Sequence, residues 1–211
     1  MSDNYYEIIA RDRVYPIIRN KNPEQTIEIA KALVEGGISV LEINVEALEI
    51  YDAIKEVSKY ATVCAGGIIT STQADWAFKC GAKLFASPIF QMNMVRISKN
   101  LRIPFIAGTT TANEAYLAWK SRVQLIKIFP AEAMGGTQYI ENILRQMPFL
   151  NLMPTGDIKL DSVISYLNAG AVAVGVGRDF YNGYTPQEIT ARTREILKEV
   201  KDFTKWNQKQ I

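Results

Sequence analysis

Short apolar segments alternate with longer segments of helical periodicity along the whole chain. Eight of the short segments are rich in aliphatic and β-branched residues and predict strands, at Val14 to Arg19, Val40 to Val45, Thr62 to Ile69, Leu84 to Pro88, Phe105 to Thr109, Leu125 to Phe129, Leu152 to Gly156 and Ala171 to Gly177. Nearly continuous apolar strands separated by helices indicate a parallel sheet covered by helices, and eight such units can close into a barrel. We therefore predict an α/β fold, a (β/α)8 TIM barrel that forms a single domain over residues 1–211.

Signals for helix starts and ends lie between the predicted strands. A capping side chain stands three positions before Glu or Gln at Asn22, Thr70, Thr111 and Thr185. Its oxygen can accept a hydrogen bond from the first helical turn. Glycines that can end a helix in the left-handed conformation precede three strands, at Gly36-Gly37, Gly81 and Gly170. The last helix is predicted from Thr185 to about Trp206, with an apolar stripe that packs on the barrel wall.

An open, doubly wound sheet shares this alternation of strands and helices. A nucleotide-binding sheet of that kind normally carries G-x-G-x-x-G after its first strand. Residues 19–23 here read Arg-Asn-Lys-Asn-Pro. The barrel is therefore favoured, and the open sheet is the alternative.

Polar residues interrupt the apolar strands on one face only. Side chains alternate along a strand, so the isoleucines on either side of Lys127 take the opposite face, and Glu42 shares its face with Asn44. Arg19 similarly shares a face with Ile17. Because the aliphatic faces suit contact with helices, Lys127, Glu42 and Arg19 are predicted to point into the barrel. Barrel active sites lie at the carboxyl ends of the strands.

The composition narrows the chemistry that these residues can perform. The chain contains no histidine, which excludes Ser-His-Asp and Cys-His catalysis and His-ligated zinc or iron. An uncharged lysine amine can attack a ketone carbon, and a carboxylate beside it can move protons. Lys127 and Glu42 are thus either such a catalytic pair or a structural ion pair. Arg19 either binds a carboxylate through its planar fork or is a solvated loop residue.

The predicted ends of the seventh and eighth strands are rich in glycine, in Thr155-Gly156-Asp157 and Gly175-Val176-Gly177-Arg178. Barrels often bind phosphate at these ends through exposed backbone N–H groups. Tight turns alone would also explain the glycines. Asp157 weakens the case for phosphate because it adds a negative charge.

Charge, cysteine content and hydropathy exclude several partners. The 24 basic and 22 acidic residues give a net charge of +2 without any basic run, so nucleic acid is not expected as a partner. The two cysteines, Cys64 and Cys80, lack metal-ligand spacing and are expected to be reduced, packed thiols. The amino terminus does not resemble a secretory signal, and no apolar run approaches the roughly 20 residues of a membrane span. A cytoplasmic protein without a membrane partner is expected.

Seven segments carry a resemblance that covers almost the whole chain. In order they read PIIRNKN, EIAKALVEGGISVLEINV, CAGGI, FASP, IKIFPAEAMGG, MPTGDI and AVAVGVGRDF. Together they resemble the class I 2-keto-3-deoxy-6-phosphogluconate / 4-hydroxy-2-oxoglutarate aldolase family. The resemblance implies a (β/α)8 barrel that assembles as a homotrimer. It also implies cleavage of a 2-keto-4-hydroxy acid to pyruvate and an aldehyde, without a metal or an organic cofactor.

The same resemblance implies roles for individual residues. IKIFPAE is similar to the Schiff-base strand of the family, with Lys127 at the position of the lysine. Glu42 matches the general acid/base, and Arg19 matches the arginine with which some members hold the substrate carboxylate. The resemblance further implies carboxylate-end contacts at Gly66 and Gly67. It implies pocket walls at Pro88 and Phe129, and contacts to the phosphate or aldehyde end at Thr155, Gly156, Asp157, Gly175, Gly177 and Arg178.

Several positions depart from the family pattern. Gly67 stands where the family usually has a threonine, and Glu46 stands where some members have an arginine. Asp157 replaces the second glycine of the usual TGG turn, and Arg178 replaces a serine. Asp157 and Arg178 could pair with each other, or Arg178 could offset Asp157 and still hold an anion. We expect an altered preference at the aldehyde end, for example for the non-phosphorylated 4-hydroxy-2-oxoglutarate.

Two other functions compete with the aldolase interpretation. A phosphosugar isomerase or epimerase barrel would share the glycine-rich turns but would not need Lys127. A catalytically weakened barrel that senses keto acids would bind pyruvate without releasing an aldehyde.

Overall fold

The computed structural model describes residues 5–208, and its centre is a parallel sheet of eight strands that curls into a barrel. The strands are β1 (Val14–Ile18), β2 (Val40–Asn44), β3 (Thr62–Gly66), β4 (Leu84–Ser87), β5 (Phe105–Thr109), β6 (Leu125–Ile128), β7 (Leu152–Pro154) and β8 (Val174–Val176). Their order is β7-β6-β5-β4-β3-β2-β1-β8. The barrel prediction is confirmed, and the open-sheet alternative is wrong.

The barrel closes between β7 and β8 with few hydrogen bonds. A single parallel bridge joins Thr155 to Gly175, and the backbone N–H of Val172 donates to the carbonyl of Leu152 at 2.9 Å. Gly175 has no side chain at this junction, where a Cβ would overlap with Oγ1 of Thr155. Glycine is therefore required where the last two strands meet.

Nine α-helices lie within the described residues. They are α1 (Tyr5–Asp12), α2 (Pro23–Gly36), α3 (Ile50–Val57), α4 (Ser71–Lys79), α5 (Met92–Leu101), α6 (Ala112–Lys120), α7 (Gly136–Gln146), α8 (Val163–Asn168) and α9 (Pro186–Gln208). Two short 3₁₀ helices, Leu160–Ser162 and Arg178–Phe180, follow β7 and β8. None of the helices in this part of the chain combines the length and the apolar character needed to cross a membrane.

Most predicted strands extend one to three residues too far. β3 ends at Gly66 rather than at Ile69, because Gly67 takes a positive φ of 73° and turns the chain. β8 begins at Val174 rather than at Ala171. The N–H of Ala171 still bonds to the carbonyl of Tyr166 at 3.1 Å and so belongs to the end of α8.

The predicted caps form at all four positions. Thr70, Thr111 and Thr185 accept from the N–H three residues ahead, and the Glu or Gln at that position bonds back to the cap N–H. Asn22 accepts from the N–H of Gln25 at 2.8 Å, but the Gln25 side chain bonds Asn20 instead. This cap is therefore half of the expected reciprocal pair.

Two apolar cores lie on the two sides of the barrel wall. The larger core fills the space between strands and helices, where α9 packs along α2 and buries Ile189, Ile196 and Val200. Gly36 permits this contact, since a Cβ there would overlap with Thr193 of α9. The smaller core fills the barrel interior and includes Ile9 of α1. α1 was not predicted, and it covers the amino-terminal end of the barrel.

Candidate active site

Lys127 and Glu42 meet inside the barrel. Lys127 lies in β6 and Glu42 in β2, with side chains only 6% and 2% exposed. Lys127 Nζ lies 2.9 Å from Oε1 and 2.8 Å from Oε2 of Glu42. Both point inward because their neighbours Ile126 and Ile43 belong to the outer core. The structure thus brings together two of the three residues that strand alternation predicted to face the interior.

Arg19 reaches this pair through Asn44. With the Asn44 amide oriented to satisfy both of its neighbours, its oxygen accepts from Arg19 at 2.8 Å (Nε) and 3.2 Å (Nη2). Its nitrogen then donates to Oε1 of Glu42 at 2.9 Å. A continuous chain of polar contacts therefore runs from Arg19 through Asn44 and Glu42 to Lys127.

Three other groups lie against Arg19 and help to fix its position. The backbone N–H of Arg19 donates to the hydroxyl of Tyr181 at 2.8 Å, and that hydroxyl donates to the Arg19 carbonyl at 3.2 Å. The guanidinium lies 5.8 Å from the ring centroid of Phe129, within the range of a cation–π contact. Its Nη1 is 3.8 Å from Glu46. The Arg19 side chain stays 40% exposed, so it can meet a ligand.

The next layer of the barrel interior holds a phenol and a thiol. Burial raises the pKa of Tyr15, and the charges of Cys64 and Glu42 add to the shift. Burial also raises the pKa of Cys64, with a further contribution from Glu42. Both groups therefore stay protonated in the neutral range.

Gly66 leaves room for the polar chain. A Cβ on Gly66 would overlap with Oδ1 of Asn44 and with Oε1 of Glu42. Gly66 is therefore needed to let the side chains of Asn44 and Glu42 pack over the end of β3, whatever it contributes to ligand binding.

A cleft of about 420 Å³ opens at the carboxyl ends of the strands. Seven of the predicted site residues line it: Arg19, Phe129, Thr155, Gly156, Asp157, Gly177 and Arg178. Lys127 lies on β6, two residues before Phe129, which follows the end of the strand, and so one layer deeper in the barrel. Gly175 supports the cleft wall because its Cα faces Thr155.

Besides the buried pair, Gly66 and Gly175, two more predicted residues lie outside the lining of this cleft. Pro88 follows β4, and its backbone lies against Gly108 so closely that a Cβ on Gly108 would overlap with it. Gly67 turns the chain after β3 and lies near the backbone of Val45. The geometry of the described residues does not give either of them a direct place in the cleft.

The outer rim of the cleft does not show the Asp157–Arg178 ion pair, which was one of the two arrangements considered from the sequence. Asp157 and Arg178 form no ion pair with each other among the described residues. Asp179 instead accepts from Lys159 Nζ at 3.0 Å and from the N–H of Leu160 at 2.8 Å. Burial by itself would raise the pKa of Asp179, but these two donors, with the nearby Arg192, hold it below its ordinary value. Asp157 and Arg178 are exposed in the cleft.

Four functional candidates were missed or passed over in the sequence. Asn44 had a visible signal, since it shares the inward face of Glu42. Lys159 and Asp179 follow the glycine-rich turns but carry no motif of their own. Tyr181 had no local signal, because it contacts a residue 162 positions away. No group of acidic residues and cysteines within residues 5–208 is arranged to hold a metal ion.

A family model described as KDPG and KHG aldolase matches residues 6–194. The chain belongs to the KDPG and KHG aldolase family. It is 30% identical over 165 residues to the 2-dehydro-3-deoxy-phosphogluconate aldolase of Treponema pallidum, covering 77% of this chain and 79% of that protein. It is 31% identical over 163 residues to the KHG/KDPG aldolase of Escherichia coli K12, covering 76% of each.

A solved aldolase structure agrees with the family. The 2-keto-3-deoxy-6-phosphogluconate aldolase of Zymomonas mobilis ZM4, solved with 3-phosphoglycerate, superposes with a TM-score of 0.84 at 25% identity. The alignment covers 93% of this chain and 96% of that one.

As a member of the KDPG and KHG aldolase family, the protein is a lyase that works through a Schiff base with lysine and cleaves a keto acid to pyruvate and an aldehyde. The isomerase interpretation is therefore wrong.

Proposed function

We propose that Lys127 is the Schiff-base lysine of this aldolase, Glu42 its proton shuttle and Arg19 the residue that holds the substrate carboxylate. One observation carries the proposal: the amine of Lys127 lies within 2.9 Å of both oxygens of a buried carboxylate. Among the described lysines, Lys127 is the one whose side chain is buried. Glu42 can accept the proton that the Lys127 amine must lose before it attacks.

The steps follow from this pair. The neutral amine of Lys127 attacks C2 of a 2-keto-4-hydroxy acid, and Glu42 delivers a proton to the C2 oxygen, giving a carbinolamine. Glu42 then takes a proton from the Lys127 nitrogen and passes it to the C2 hydroxyl, which leaves as water, so that a protonated iminium remains. Glu42 then takes the proton of the C4 hydroxyl, the C3–C4 bond breaks, and its electron pair moves into the iminium as an enamine. The C4 fragment leaves as an aldehyde. Protonation of C3 and hydrolysis of the iminium release pyruvate and restore Lys127.

Borohydride reduction in the presence of pyruvate tests the assignment of the lysine. We expect peptide mass analysis to find the reduced adduct on Lys127 and none on Lys127→Met. Lys159→Met is the matched control, because Lys159 also lines the cleft and its loss should leave the adduct on Lys127. An adduct on Lys159, or an undiminished adduct in Lys127→Met, would refute the assignment. An adduct without any aldehyde release would instead favour the keto-acid sensor.

We further propose that the aldehyde end prefers a non-phosphorylated substrate such as 4-hydroxy-2-oxoglutarate. Asp157 supports this, because its exposed carboxylate lines the cleft and has no ion-pair partner among the described residues. A phosphate dianion would be repelled there, whereas the single carboxylate of a glyoxylate unit can be held by the guanidinium of Arg178.

Comparing kcat/KM for 4-hydroxy-2-oxoglutarate and 2-keto-3-deoxy-6-phosphogluconate tests this preference. We expect the non-phosphorylated acid to be favoured in the wild type and Asp157→Gly to raise kcat/KM for the phosphorylated acid. Arg178→Gln should weaken cleavage of 4-hydroxy-2-oxoglutarate. A strong wild-type preference for the phosphorylated acid would contradict the proposal.

We also propose that the protein is a homotrimer and that it is cytoplasmic. Exposed aromatic side chains cluster around Trp119, with ring centroids 4.5 Å away at Phe149 and 5.9 Å away at Tyr116. A contiguous apolar patch of this kind is typical of an interface between subunits. Sedimentation equilibrium of the wild type and of Trp119→Glu should show a trimer that the substitution dissociates.

A further inference from the structure

Asn44 stands between the residue proposed to hold the substrate and the residue proposed to move protons. It is 4% exposed, and its amide uses both of its ends. The oxygen accepts two hydrogen bonds from Arg19, and the nitrogen donates to Oε1 of Glu42. An amide suits this place because it is neutral and can both accept and donate, whereas a carboxylate could only accept.

During the proposed reaction Glu42 loses the hydrogen bonds that it receives from Lys127 but keeps the one from Asn44. Both oxygens of Glu42 receive hydrogen bonds from the free amine of Lys127. Once the amine becomes an iminium, it has given up protons and can no longer hold the carboxylate in this way. The bond from Asn44 to Oε1 does not depend on Lys127 and persists through that step. Oε2 is then the oxygen that remains free to move protons.

We propose that Asn44 is a positioning residue that orients Glu42 relative to the substrate carboxylate bound by Arg19, and that it leaves Oε2 as the proton-transferring atom. The inference rests on the proposed roles of Lys127, Glu42 and Arg19. The surroundings of Asn44 fit this role, since Gly66 leaves only enough space for the side chains of Asn44 and Glu42.

Two substitutions separate the two ends of the amide. Asn44→Asp can still accept from Arg19 but cannot donate to Glu42, and Asn44→Leu, which has the same number and branching of side-chain heavy atoms, can do neither. We expect Asn44→Asp to lower kcat about tenfold, the loss of one transition-state hydrogen bond, with KM changed by less than about twofold. Asn44→Leu should lower kcat by at least as much and also raise KM, because Arg19 loses its support.

The pH profile of kcat gives a readout that a merely structural role would not change. The charged or titratable groups that face Glu42 are Lys127 from β6, Tyr15 from β1 and Cys64 from β3, with Arg19 behind Asn44. Asn44→Asp removes a donor from Glu42 and adds a carboxylate beside it, and both changes disfavour its ionised form. The acidic limb of the profile should therefore move to higher pH in Asn44→Asp, and by a smaller amount in Asn44→Leu, which removes the donor without adding a charge.

The control is Asn151→Asp, which makes the same substitution at the opposite end of the barrel, where the Asn151 side chain donates to the carbonyl of Gln124 at 3.1 Å. It should leave kcat, KM and the acidic limb unchanged. Activities are normalised to the fraction of protein that borohydride and pyruvate can trap, so that poor folding does not count as lost catalysis. If Asn44→Asp retains the wild-type kcat and acidic limb, the proposal for Asn44 is wrong. If the wild type traps no pyruvate on Lys127, the proposed function itself fails.

Discussion

The two ends of the barrel interior are built from the same strands but from opposite chemistry. Towards the carboxyl ends, Glu42 and Lys127 are buried as an ion pair. Two residues earlier on the same strands, Val40 and Leu125 are buried in an apolar cluster. Burying a pair of charges costs desolvation energy that their attraction repays only in part, whereas burying an aliphatic side chain stabilises by about 1.5–3 kcal/mol.

This difference shows that stability and catalysis depend on different layers of the barrel interior. The amino-terminal layer, with Ile9 of α1 beneath it, contributes stability, and burial raises the pKa of both titratable groups in this cluster, Tyr15 and Cys64. The carboxyl-terminal layer contributes little to stability, but it supplies a reactive amine and a carboxylate aligned with it. Substitutions in the two layers should therefore separate loss of stability from loss of activity.

The largest effect is expected for Lys127→Met, because it leaves the carboxylate of Glu42 buried without its partner. Cleavage should be abolished, and the free energy of unfolding at pH 7 should fall by about 3–5 kcal/mol. Adding Glu42→Gln should restore most of that stability without restoring activity. Urea unfolding of both variants checks this. Equal stability of the single variant and the wild type would mean that the pair is not effectively buried.

Leu125→Ala tests the apolar layer on the same strand. Leu125 is 3% exposed, and its truncation should cost about 2–5 kcal/mol of unfolding free energy through lost burial and a cavity. The kcat per folded molecule should stay within about twofold of the wild type. Leu48→Ala is the control, since Leu48 is 67% exposed and should change stability by less than about 0.5 kcal/mol. A large loss of kcat in Leu125→Ala would mean that the two layers are not independent.

Gly66→Ala places a methyl group against the polar layer. The new Cβ would overlap with Asn44 and Glu42, so one of these side chains must move. We expect a cost of about 1–3 kcal/mol in unfolding free energy and a kcat that falls about tenfold or more, since a small misplacement of a catalytic group is costly. Steady-state kinetics beside thermal unfolding measure both effects. A stable variant with full activity would contradict tight packing of this layer.

The smallest effect is expected at the rim, for Asp179→Asn. Because the folded-state pKa of Asp179 is lowered, its charge stabilises the fold above the unfolded-state value near 4 and loses that contribution as the pH falls through the folded-state pKa. The variant should be less stable by about 1 kcal/mol at pH 7, and this difference should disappear as the pH falls through the folded-state pKa of Asp179. A difference that does not change with pH would show that shape, not charge, explains the effect.

Sequence reasoning worked where a rule of local geometry applied. Strand alternation correctly placed Lys127 and Glu42 in the interior, and capping residues located four helix starts. It failed where stability comes from distant contacts. Helix α1 has eight residues and is too short to be stable alone, so its packing beneath the barrel, not its pattern, makes it helical. The contacts of Tyr181 with Arg19 and of Lys159 with Asp179 likewise join segments whose proximity only the closed barrel creates.

The junction of β7 and β8 has a consequence for how such an enzyme can change. The rim residues Thr155, Asp157 and Arg178 follow the ends of these two strands. Within the described residues, the two strands meet through one bridge and one further hydrogen bond. The amine and the carboxylate stand on β6 and β2, which are paired to their neighbours on both sides. Loops at the junction can therefore be replaced with little disturbance to the bond-breaking machinery. Substrate range can diverge in this lineage while the reaction itself is inherited unchanged.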